Sequence, residues 1–179
     1  MSRLQPVDPH HANGRVAELL AAVRERFGRV PNLYASLAVA PAALDGFQHL
    51  TGALNRGSLP QALRAQISLY SAELNRSAYG LSVFTTVGKT VAGLSDEAIA
   101  AARRGIGTDR ISNAALALAG TLHATTGHVA DADYRAALDA SLTEQQIVEI
   151  VVLVGTNILS NLVTAALQVE VDFPLVAPR

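Results

Sequence analysis

Ser77, Tyr79, Gly80 and Phe84 gather in one stretch, Ala72-Glu73-Leu74-Asn75-Arg76-Ser77-Ala78-Tyr79-Gly80-Leu81-Ser82-Val83-Phe84. It reads as the end of one helix, a tight junction, and the start of the next. Ser77, Gly80 and Phe84 stand at i, i+3 and i+7, so they share one face of the second helix. The chemistry on offer is proton transfer and hydrogen bonding at a helix N-terminus. Ser77 can donate a hydrogen bond or act as a weak nucleophile, and serine is also a favoured N-cap. Tyr79 can be a general acid or sit buried with its hydroxyl satisfied. Glu73 can be a base or an ion-pair partner of Arg76. His49, near Phe47 and Leu50, can protonate a substrate or be held by a neighbour. These four are the acid/base candidates.

Other residues suit a pocket. Gly80 can make room for a ligand or let helices pack closely. Phe84 can line an apolar pocket or fill the core. Asn157, Asn161 and Thr164 fall at i, i+4 and i+7 on one helix, a polar stripe facing a pocket or a partner subunit.

Composition sets bounds on this chemistry. The 179 residues suit one domain, half of them are hydrophobic and 16% are charged, so a sizeable core is possible. Aromatics are 4% and Trp is absent, which leaves Ala, Leu, Val and Ile to fill that core. Richness in alanine favours helices throughout. The net charge of -1, with no basic block, argues against nucleic acid or an anionic membrane as partner. Without cysteine there is no disulfide, thiolate catalysis or Cys-ligated metal. The polar start lacks the apolar core of a signal peptide, and a cytoplasmic location is the expectation.

The elements follow from punctuation. Residues 1–12 read as an irregular arm, and a single domain spans 13–174, with a tail at 175–179. Val16, Leu19, Leu20, Val23 and Phe27 mark the first helical face, which Gly28 ends. Pro41 suits the first turn of a later helix. Ser95 with Asp96 and Glu97, Asp109 or its neighbour, and the capping-box-like Leu142-Thr143-Glu144-Gln145-Gln146 read as helix starts. The last helix, about 143–168, is apolar enough to suggest a membrane span, yet its polar interruptions read as a buried helix of a soluble protein. The expectation is an all-α bundle of eight or nine helices.

Several segments resemble the carboxymuconolactone decarboxylase and alkylhydroperoxidase-D-like superfamily, in particular its peroxidase-related branch. They are Phe27-Gly28-Arg29-Val30-Pro31-Asn32-Leu33-Tyr34, Leu63-Arg64-Ala65-Gln66-Ile67 followed by Ala72-Glu73-Leu74-Asn75, Gly88 to Glu97, and Glu170-Val171-Asp172-Phe173-Pro174. Redox members carry Cys-x-x-Cys-x-x-x-His at the start of the helix that here begins at Ser77, with a glutamate twelve residues before the first cysteine. Aligned on that motif, the cysteines fall on Ser77 and Gly80, the histidine on Phe84 and the glutamate on Ala65. Each has lost the required group. The helix dipole is far too weak to make an alkoxide of Ser77 near neutral pH, so peroxidase and disulfide-reductase chemistry are excluded.

The resemblance implies an alkylhydroperoxidase-D-like helical bundle that assembles as a homo-oligomer, dimer through hexamer. It leaves two functional expectations. One is a repurposed, cofactor-free lyase, isomerase or cyclase acting on a small, fairly apolar molecule. Its pocket would use Phe84, Gly80, Ala65, Tyr34, Phe47, Asn157 and Asn161, with Tyr79, Ser77, His49 and Glu73 as acid/base groups. The other is a catalytically inactive ligand-binding or scaffold protein. Neither calls for a metal, a cofactor, a nucleic acid or a membrane. A pocket above about 300 Å³ with polar groups converging near Ser77 and Tyr79 would favour the enzyme.

Overall fold

Caps and breakers divide the chain into helices, and the computed structural model describes residues 2–179. Among these residues there are nine helices and no strand: α1 (Gly14–Phe27), α2 (Asn32–Leu37), α3 (Pro41–Asn55), α4 (Gln61–Leu74), α5 (Ala78–Thr90), α6 (Asp96–Ala102), α7 (Arg110–Thr125), α8 (Asp131–Asp139) and α9 (Glu144–Ala166). Gly28 closes α1 in the left-handed region, at φ 73°. Ser95 caps α6 by accepting from the Ala98 amide. Asp109 with Ser112, and Thr143 with Gln146, form reciprocal capping boxes on α7 and α9.

The helix α4 is the axis of the bundle. It packs on α5, α7 and α9, and also meets α6. Small residues permit this: Ala65, Ser68, Ser71 and Ala72 are buried on α4 along with the larger Ile67 and Leu69. Burying a Leu or Ile side chain contributes about 1.5–3 kcal/mol. Three apolar clusters result. One joins α4, α7, α8 and α9 through residues such as Ile67, Leu116 and Ile150. A second joins α1, α2 and α3 to Tyr79 and Val169, and a third holds Leu69 against Ile99 with Phe84 at its edge.

Both chain ends are tied to the bundle. In the arm, the Arg3 amide donates to the Leu167 carbonyl and the Val7 amide to the Ala35 carbonyl. Beyond α9, the Val176 amide donates to Ser82 Oγ and Arg103 to the Ala177 carbonyl.

By length and composition α9 could cross a membrane. Its Thr156, Asn157, Asn161 and Thr164 are buried against the bundle, whereas Val148, Val151, Leu159 and Leu162 are exposed on the outer side.

Candidate functional site

A cavity of about 220 Å³ opens where the three clusters meet. Its walls come from the ends of α1 and α3, from α2, from the first turns of α4, and from the middle of α5 and α9. All four phenylalanines of the chain line it, namely Phe27, Phe47, Phe84 and Phe173, together with Tyr34 and Tyr79. Six of the eight aromatic residues therefore converge on one space. Tyr34 sits between Phe27 and Phe47, with ring centroids 5.3 and 5.8 Å away. Tyr79 meets Phe173 edge-on at 6.2 Å. Such tilted and edge-on contacts suit aromatic quadrupoles.

Ala65 and Phe84, the positions onto which the resemblance aligns the motif's glutamate and histidine, face this cavity. Ser77 and Gly80 lie outside it. Ser77 caps α5, its Oγ accepting from the Gly80 amide at 3.0 Å. Gly80 opens no ligand space. A Cβ there would stand 2.6 Å from Asn161 Oδ1, 3.0 Å from the Ala72 Cβ and 3.2 Å from Ser77 Oγ. Asn161 thus occupies the volume that a side chain at position 80 would need. It is buried with its Nδ2 unpartnered, and it does not line the cavity.

The acid/base candidates need correction in turn. The Tyr79 ring lines the cavity, but its hydroxyl points into a different network. It accepts from the Leu33 amide and donates to Asp172 Oδ1, both at 3.0 Å. Burial, reinforced by Asp172, pushes the phenol well above its usual value, so it holds its proton. Arg29 donates to Asp172 Oδ2 at 2.5 Å, and the Asn32 amide reaches the same oxygen at 3.1 Å. Asp172 therefore caps α2 from 140 residues away. The segments at 27–34 and 170–174 that carry the resemblance are thus bonded to one another and to Tyr79.

Glu73 pairs with Arg103 at 2.6 Å, not with Arg76. Its other oxygen accepts from the Arg179 amide at 2.7 Å. Burial works against its charge, but Arg103 and that amide outweigh it and hold the carboxyl below the usual range. Glu73 is a clasp for the tail and is not part of the cavity. His49 lies on the outer side of α3, with 79% of its side chain exposed and Asp45 3.0 Å away. Two residues on from the cavity-lining Phe47, about 200° around the helix, it points away from the cavity.

Tyr34, Phe47 and Asn157 line the cavity as well. Asn157 Nδ2 donates to Ser68 Oγ at 3.2 Å. Burial raises the Tyr34 phenol, and Arg26 and Thr51 oppose the shift without reversing it. Sequence reasoning missed Arg26, Arg64, Ser68, Thr51 and Phe173 as cavity residues. The available signal was Arg64, next to Ala65 in the segment resembling the family. Among the described residues, none lining the cavity is Asp, Glu or His, and no three such residues gather to hold a metal.

No protein-family model matches this sequence, and no curated protein sequence does. Solved structures do share its shape. An alkylhydroperoxidase AhpD core protein from Ralstonia eutropha, described as an uncharacterized peroxidase-related protein, superposes with a TM-score of 0.85 at 18% identity, over 96% of this chain and 92% of that one. A peroxidase-related protein from Silicibacter gives 0.82 at 18%, over 94% and 91%. The debrominase Bmp8, in a complex with 2,3,4-tribromopyrrole, gives 0.81 at 17%, over 96% and 94%. The chain therefore has the alkylhydroperoxidase-D-like fold, in a version without cysteine.

Proposed function

We propose that this chain is a non-redox protein of the alkylhydroperoxidase-D-like fold that binds a small, flat, fairly apolar molecule in the aromatic cavity. The observation that carries this is the convergence of all four phenylalanines, in a chain with few aromatics, around an open space. A core that needed only filling would have been closed by the abundant Leu and Val. The volume is below the roughly 300 Å³ that would favour an enzyme. The groups near Ser77 and Tyr79 are committed to structural bonds. Both points favour binding over catalysis. Bmp8 adds support, since a flat ring occupies a structure of the same fold there.

Ala65→Leu is the test, because it adds apolar volume to the cavity without removing a bond. Thermal-shift and calorimetric titration with small aromatic compounds should show binding by the native protein. The variant is expected to lose that binding at least tenfold while keeping or raising its melting temperature. Unchanged binding in the variant would place the ligand elsewhere and reject the reading.

A second reading is a cofactor-free lyase, isomerase or cyclase acting on the same kind of molecule. Its support is the neutral Tyr34 phenol and the Asn157 carboxamide among the aromatic rings of the wall. Such groups can polarise a carbonyl by hydrogen bonding. With no carboxylate or imidazole among the lining residues, the reaction would have to proceed without a side-chain base. Conversion of a bound compound, lost in Tyr34→Phe while binding persists, separates this reading from simple binding.

The same proposal includes self-association in a cytoplasmic setting. The exposed Val148, Val151, Leu159 and Leu162 of α9 are its support. Sedimentation velocity should find a dimer or larger assembly at micromolar concentration, and a monomer there would reject it.

A further inference from the structure

This inference rests on the binding reading and adds the chemistry of the ligand. Two arginines, Arg26 and Arg64, line the cavity, and no lining residue among those described carries a negative charge. Arg64 rises from the first turn of α4 and is half-buried. Its Nη1 donates to the Leu59 carbonyl, a neutral acceptor. Glu149 on α9 attracts it from a distance, but that carboxylate is already committed. It accepts from the Ser58 and Leu59 amides at 2.8 to 3.0 Å and from Gln145 at 2.9 Å. Burial lowers the Arg64 pKa, as expected for a cation losing water, and Glu149 offsets this only in part. Arg26 stands at the exposed rim, its guanidinium 4.8 Å from the centroid of the Phe27 ring. Its Nη1 is 3.5 Å from Thr51 Oγ1.

A half-buried guanidinium without a carboxylate partner is poorly compensated, and an anion on the ligand would complete it. The planar fork of arginine matches a carboxylate with two parallel hydrogen bonds. A phosphate dianion would ask for more donors than one guanidinium and a rim arginine supply. Size agrees with this choice. A dry cavity of about 150 Å³ holds benzene, and about 220 Å³ leaves space for a short acid arm. The geometry points to a small aromatic carboxylate as the ligand, its carboxylate on Arg64 with Arg26 at the rim, and its ring among the phenylalanines.

Cinnamate and cinnamamide share a shape and differ in charge, so they make a matched pair of probes. Calorimetric titration of the native protein should give about tenfold tighter binding for cinnamate at low salt. That preference should shrink as ionic strength rises, while the amide's affinity holds. Arg64→Gln should remove the preference, and Arg64→Lys should keep part of it. Arg26→Gln, at an exposed site, should reduce it by roughly twofold to threefold. The ratio of the two affinities is the readout, because a general loosening of the fold moves both together. Equal affinities in the native protein overturn the carboxylate assignment and leave the cavity reading standing. Binding of neither probe overturns both. A preference that survives Arg64→Gln overturns the role given to Arg64. The native-protein comparison stands even where a variant fails to fold.

Discussion

Asp172→Ala is expected to lower the melting temperature by about 6–12 °C, roughly 3 kcal/mol for a chain of this size. The reason is the number of groups that share one carboxylate. Arg29 and the Asn32 amide meet Oδ2, and the Tyr79 hydroxyl meets Oδ1. Only 14% of the Asp172 side chain is exposed, so water cannot readily replace it. Removing it strips a helix cap from α2 and leaves the buried Tyr79 hydroxyl without its acceptor. Asp172→Asn keeps an oxygen for one of these donors and should cost about half as much. Thermal denaturation checks both variants, and a loss below about 2 °C for Asp172→Ala would contradict the account.

Gly80→Ala should also destabilise, by about 1–3 kcal/mol, although alanine normally improves a helix by about 0.5–1 kcal/mol. The new methyl would meet Asn161 Oδ1 at 2.6 Å and the Ala72 Cβ at 3.0 Å. Asn161 has to swing away or α5 has to shift. Asn161→Ala in the same chain should recover part of the loss, with a coupling of about 1 kcal/mol or more in a double-mutant cycle. Additive effects would show that Asn161 is not what fills this space. A corollary concerns redox chemistry. Ser77→Cys with Gly80→Cys should not restore a dithiol peroxidase. The second thiol has no room, and the positions at Ala65 and Phe84 supply no proton carrier.

Much of the fold was legible because its signals are local. Gly28, Pro41, Ser95, Asp109 and Thr143 act within a few residues of themselves, so their caps and stops could be read from the chain. The site was legible only in part. Phe84, Ala65, Tyr34, Phe47 and Asn157 do line one cavity. The fates of Glu73, Tyr79 and Gly80 were not readable, since each depends on a distant partner. Arg103 lies 30 residues from Glu73, and Asp172 lies 93 from Tyr79. The same holds for Glu149, which holds the Ser58-Leu59 turn ahead of α4 from about 90 residues away. His49 failed for a simpler reason. It stands two residues from Phe47, about 200° around α3, so proximity in sequence sets it on the opposite side from the cavity.

The Asp172 network also bears on the order in which the molecule is completed. A ribosome delivers Arg29, Asn32 and Tyr79 long before Asp172 and Phe173. The separations of 143 and 93 residues make these among the most non-local bonds in the chain. Closing such long loops is slow compared with forming helices. Until it happens, α2 lacks its cap, the Tyr79 hydroxyl lacks its acceptor, and the cavity lacks the wall that Phe173 provides. A nascent chain can therefore build most of its helices early, yet gains a finished cavity only when residues 172 and 173 arrive.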